Sequence, residues 1–146
     1  MNLLVRVVFD VNVLFSWVGW HGVSYRWVEL ARQPHVVSIS CEAIVRKLCE
    51  KLAQKLRFTP TRIADVVQDL LSFTTLITLP AEVPNIAGDP EDDIVLACAV
   101  HGAADYIVSG DKKHLLILQQ YEGKQIVSPS VFLLEVVSHD NEPANP

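Results

Sequence analysis

Apolar residues recur along this chain in two alternating rhythms. LVRVVF (4–9), HVVSIS (35–40), DYIVSG (105–110) and QIVS (125–128) are short runs rich in valine and isoleucine, a pattern that predicts buried strands. Between them the period lengthens. Val23, Trp27, Leu30 and Ala31 mark one helical stripe, and Ile44, Leu48, Leu52 and Leu56 stand at steps of four. Thr59 as N-cap with Pro60 at the first helical position opens a helix that buries Ile63, Val66, Val67, Leu70 and Leu71. TLITL (75–79) predicts a further extended piece. A loop, LPAEVPNIAGDP (79–90), leads into a helix from Pro90 to His101 with Gly102 as its stop. More helices are predicted from Lys112 and after Pro129. Strands separated by helices require crossovers, so the pattern predicts an α/β fold with a mostly parallel sheet covered on both faces.

Length and composition fit one such unit. The chain has 146 residues, 50% of them apolar, enough for a single full core. No run approaches the roughly 20 apolar residues of a membrane span, and LLVRVVFD lacks the form of a signal-peptide core, so a soluble cytoplasmic protein without a membrane partner is expected. SHDNEPANP (138–146) reads as a disordered tail behind a domain of residues 1–137.

Cys41, Cys49 and Cys98 are odd in number, fall in predicted helices and lack C-x-x-C spacing. Cys41 and Cys49 would lie about 12 Å apart along a helix, too far to bridge, so reduced packing cysteines are expected. His21, His35, His101, His114 and His139 are scattered without ligand spacing. Any metal would then be held by oxygen, which favours Mg2+ or Mn2+ over zinc. A net charge of −5 gives no large basic field, although RKLCEKLAQKLR (46–57) and DKKH (111–114) gather positive charge locally.

The candidate chemistry is acidic. Asp10 ends the first strand, Asp111 follows the strand in DYIVSG, and Asp89, Asp92 and Asp93 open a helix whose N-terminus can face the same edge. In an open α/β sheet, functional residues gather beyond the carboxyl ends of the strands. Each acid has a local explanation, as an N-cap or an Asx turn worth about 1 kcal/mol. Together they do not, because two carboxylates about 4 Å apart repel by roughly 4 kcal/mol at an effective dielectric of 20. A cation offsets that cost.

VVFDVNVLFS (7–16), DPEDDIVLACAVHGAADYIVSGDKKHLL (89–116) and QIVSPSVFLLEV (125–136), in this order and spacing, resemble the PIN-domain family of metal-dependent ribonucleases, in particular its toxin branch. The resemblance implies an α/β/α sandwich and endonucleolytic hydrolysis of RNA by water activated on Mg2+ or Mn2+. It places Asp10, Asp92 and Asp111 as the metal acids, with Asp93 competing with Asp92, and Asn12 and Ser109 as the accompanying polar residues. Lys112 and Lys113 would contact the substrate backbone. It further implies a homodimer and an antitoxin protein as partner.

The family's usual glutamate in the helix after the second strand is replaced here by Lys47, within KLCEKL (47–52). Either Glu50 substitutes for it, or the Lys47 ammonium pairs with the aspartates and blocks the metal site. The alternative function is then a PIN-like module that binds RNA or protein without cutting. Haloacid dehalogenase-type phosphatases need a second aspartate where Asn12 stands, and receiver domains need an order of acids and lysine found nowhere here. Trp17, Trp20 and Trp27 could stack bases, but packing is the expected role.

Overall fold

The computed structural model describes residues 4–20 and 22–131. Strand β1 (Val5–Phe9) runs into helix α1 (Val11–Gly19) and helix α2 (Val23–Leu30), followed by β2 (Val36–Cys41), α3 (Glu42–Lys55), α4 (Pro60–Ser72) and β3 (Thr74–Ile77). Helix α5 (Pro90–His101), β4 (Tyr106–Val108), a short 3-10 turn (Leu116–Leu118), β5 (Gln120–Tyr121) and β6 (Lys124–Val127) complete the order. The expected tail, the end of the domain at 137, His21 and His139 lie outside the described residues. Residues 129–131 are helical, as expected after Pro129, and the rest of that segment also lies outside them.

The six strands stand in the order β3-β2-β1-β4-β6-β5. All pairs are parallel except β5 with β6. Successive strands step outward from β1 through β2 to β3, and the chain then returns to the other side of β1 to lay down β4. The direction of travel therefore reverses between β1 and β4, and in sheets of this kind ligands bind in the crevice beyond the carboxyl ends at such a reversal.

Val7, Val8 and Phe9 of β1 are at most 1% exposed, as a central parallel strand with both faces covered requires. Phe9 meets Trp27 edge to face at 6.1 Å, and Trp17 meets Phe73 at 5.8 Å. Trp27 and Trp17 are thus packing residues, 0% and 6% exposed, whereas Trp20 is exposed. Arg6 ties the end of α5 to the central strand β1: its Nη2 donates to the Gly102 carbonyl at 2.7 Å, and its Nε reaches the carbonyls of Gly102 and Ala103 at 3.2 Å. These are carbonyls a helix end otherwise leaves unpaired.

The structure corrects the sequence reading at four places. The segment after Asp10 is helix α1, which the pattern of apolar residues does not predict; β-branched Val11 and Val13 disguise it, and a single capping residue, Asp10, separates it from β1. No regular helix starts at Lys112, because residues 112–115 form turns that lead into the 3-10 segment. The β5–β6 hairpin went unpredicted, although Glu122 (φ 48°) and Gly123 (φ 80°) supply the two left-handed residues of a two-residue loop. Cys41 also closes β2 instead of lying in a helix, and all three cysteines are free.

Candidate metal centre at the carboxyl edge of the sheet

Asp10 is where β1 ends and α1 begins. Its Oδ1 accepts the Val13 amide at 2.9 Å as an N-cap, and its Oδ2 accepts the Ser109 hydroxyl. Both residues are buried, at 3% and 0% exposure. Ser109 Oγ in turn accepts the Asp111 amide at 2.9 Å, so one hydroxyl joins the ends of β1 and β4. Two acids separated by about a hundred positions are thereby locked to neighbouring strand ends.

Asp111 makes a tight turn of its own. Its Oδ1 accepts the amides of Lys113 at 2.9 Å and His114 at 3.1 Å, and its Oδ2 lies 3.3 Å from His114 Nδ1. From the opposite side α5 delivers Asp92. Asp89 caps that helix by accepting the amides of Glu91 at 2.8 Å and Asp92 at 3.3 Å, and Pro90 occupies the first turn without losing a needed donor. Asp92 Oδ2 then stands 3.5 Å from the same His114 nitrogen.

The electrostatics match crowded acids. Burial, the hydrogen bond and charge of Asp111, and the charges of Asp89 and Asp10 push Asp92 up to about 8. Burial likewise raises Asp10 above the ordinary carboxylate range, although Ser109, Val13 and Lys51 oppose the rise. Asp111 is held low: burial works against it, but the hydrogen bond from Asp92 and the amides of His114 and Lys113 prevail. The opposite directions of the Asp92 and Asp111 shifts are those expected of two acids placed side by side.

Asp93, the competitor of Asp92, faces elsewhere. It is buried, and its Oδ1 accepts the amides of Ile86 at 2.9 Å and Ala87 at 2.7 Å, pinning the loop that enters α5. Asp93→Ala leaves both amides unpaired and is expected to cost about 2–3 kcal/mol of unfolding free energy, measurable by urea denaturation. A loss below 0.5 kcal/mol, on the order of a neutral surface substitution, would contradict this role.

On helix α3, Lys47 meets glutamates and not the aspartates that the blocked-site reading expects. Lys47 Nζ pairs with Glu91 at 3.0 Å and Glu50 at 3.4 Å, and those two carboxylates raise its pKa. Glu42 is engaged by Arg46 at 2.7 Å. The amine that reaches the site is one turn further on: Lys51 Nζ donates to Asn12 Oδ1 at 2.7 Å and lowers the pKa of Asp10 by its charge. Lys112 and Lys113 are exposed on the turn after Asp111.

Lys51 and His114 were the residues that sequence reasoning missed. Lys51 stands four positions after Lys47, one turn along the same face. The D-x-x-H spacing of Asp111 and His114 returns a side chain to its own turn, a local signal that was legible. Asp89, Asp92 and His114 each present a ligand atom, all within 4.8 Å of one another. The donor set fits a divalent ion, since the like charges packed here need a counter-charge and three donors face one another.

A family model for the PIN domain matches residues 6–113. No curated protein matches the chain. Among solved structures, PAE2754 from Pyrobaculum aerophilum is similar at 12% identity with a TM-score of 0.57, over 92% of this chain and 96% of that one. VapBC2 from Rickettsia felis, solved bound to a DNA fragment from its promoter, is similar at 12% identity with a TM-score of 0.61, over 84% of this chain and 98% of that one. At these identities the likeness is one of fold. No described helix is long and apolar enough to cross a membrane.

Proposed function

The chain belongs to the PIN domain family, and from that premise we propose that it is a metal-dependent endoribonuclease of the toxin branch. The observation that carries the reading is that Ser109 joins Asp10 and Asp111 at the ends of β1 and β4, while Asp92 of α5 stands at the same His114 nitrogen as Asp111. Asp10, Asp92 and Asp111 would hold one or two ions of Mg2+ or Mn2+. A divalent ion there supplies a Lewis acid for the phosphoryl oxygen and a lowered pKa for attacking water.

The chain's own groups do the rest. Ser109 fixes the Asp10 carboxylate through one oxygen and the Val13 amide fixes it through the other, which holds the acid in one rotamer. Asn12 is held by Lys51, so the polar residue beside Asp10 is oriented as well. Lys112 and Lys113 offer point charges to the RNA backbone beside the acids. A homodimer and a small antitoxin protein that covers the site belong to the same reading.

A labelled mixed-sequence RNA incubated with Mn2+, Mg2+ or chelator tests it. Fragments that appear with metal and cease with chelator support the nuclease. RNA retained uncut by folded protein under every metal supports the second reading, a binding module, for which the charge near Asp10 is that of Lys51. Replacing Lys47 with Glu removes one positive charge and adds a negative one beside Glu91 and Glu50. Divalent affinity is then expected to rise about fivefold or more, and unchanged or weaker affinity by calorimetry would count against a site weakened by Lys47.

A further inference from the structure

Sequence spacing pointed to an all-oxygen site, but the folded chain places an imidazole nitrogen in it. His114 Nδ1 lies 3.3 Å from Asp111 Oδ2 and 3.5 Å from Asp92 Oδ2. Three donors from two elements therefore stand at the corners of a small triangle. In an octahedral ion with ligands at about 2.1 Å, neighbouring donors are separated by roughly 3 Å. The two distances from His114 Nδ1 exceed that separation by a few tenths of an ångström, which a bound ion can draw in.

We infer that His114 is a direct ligand of the metal, completing a face with Asp92 and Asp111, and that its nitrogen selects Mn2+ or Co2+ over Mg2+. The inference rests on the metal reading proposed above and adds the identity of the ion. Two features of the fold hold the ring in place, and a third leaves it accessible. The His114 amide donates to Asp111 Oδ1, so one acid anchors the backbone as well as the ring. The Cδ2 edge of the ring faces Gly88 in the loop before α5. The side chain is 37% exposed, so the ion has an open path to the site.

Magnesium binds hard oxygen and surrenders its waters reluctantly, whereas imidazole affinity climbs from Mn2+ through Fe2+ to Co2+. A nitrogen on this face consequently discriminates among ions that three carboxylates would treat more evenly. Asp89, close enough to share the cluster, supplies negative charge beside it.

Two measurements decide the matter. Pulsed electron paramagnetic resonance of the intact protein loaded with Mn2+ is expected to show modulation from a directly bound 14N nucleus, lost in His114→Gln. Calorimetry with Mn2+, Co2+ and Mg2+ is expected to show that His114→Gln weakens Mn2+ and Co2+ roughly tenfold or more, and Mg2+ about twofold at most. Bound Mn2+ without nitrogen coupling, or an equal loss for all three ions, overturns the inference and leaves the metal reading intact. Failure of the wild-type protein to bind any of the three overturns both. The resonance signal of the unaltered protein needs no variant and is independent of cleavage.

Discussion

Asp10→Asn is expected to lower metal-dependent RNA cleavage about a thousandfold or more, on the scale of the several kcal/mol of charge stabilisation an ion provides. The substitution is nearly isosteric. Its remaining carbonyl oxygen can still accept the Val13 amide that starts α1, and its amide group can donate to Ser109 Oγ. The fold is therefore expected to survive, with thermal midpoints within a few degrees of each other. What disappears is a buried negative charge at the point where β1 and β4 diverge. Single-turnover cleavage with matched preparations is the check, and a variant cutting at more than about a tenth of the wild-type rate would remove Asp10 from the metal centre.

The second large effect is on stability. Asp92 binds its proton more tightly in the folded chain than in the unfolded one, because burial and the neighbouring acids raise it to about 8. Between the ordinary carboxylate value near 4 and pH 8 the folded state thus holds a proton that the unfolded state lacks, and stability falls as pH rises. Asp10, also raised, acts in the same direction. Asp111 is lowered and contributes in the other direction, but only below the ordinary carboxylate value, outside this window.

Discounted for partial solvent screening, the loss for metal-free protein should be on the order of 2–3 kcal/mol. For a domain of this size that is a fall in thermal midpoint of about 5–10 °C between pH 5 and pH 8 in chelator. A divalent ion replaces the proton, so stabilisation by Mn2+ should be larger at pH 8 than at pH 5. A flat profile in chelator, or equal stabilisation at both values, would contradict the crowded-acid site.

Much of this was legible in the residues. Strand-end positions for Asp10 and Asp111, the Thr59-Pro60 start of α4 and the Asp89-Pro90 start of α5 follow from local chemistry that tertiary structure does not override. The family motif, matched over residues 6–113, fixed the order of the segments. Helix α1 was missed because its valines serve a helix packed against the core, where burial outweighs their preference for strands. The family resemblance favours Asp92 over the adjacent Asp93, and the loop amides of Ile86 and Ala87 show which side Asp93 faces.

Pairings across elements were the least legible. That Lys47 meets Glu91, and Lys51 meets Asn12, depends on how α3 is rotated against α1 and α5, and that rotation is set by the burial of Ile44, Leu48 and Leu52. His114 was set aside because no second histidine stood at ligand spacing. Its partners are carboxylates, one of them on a different element.

The most direct test of the central claim is anomalous scattering at the manganese edge from crystals of the wild-type protein grown with Mn2+. The account predicts a peak within coordination distance of the Asp92 and Asp111 carboxylates and on the Asp10 side of the β1–β4 crevice. A structure with the same fold and no peak there, at Mn2+ concentrations that support RNA cleavage, would contradict it.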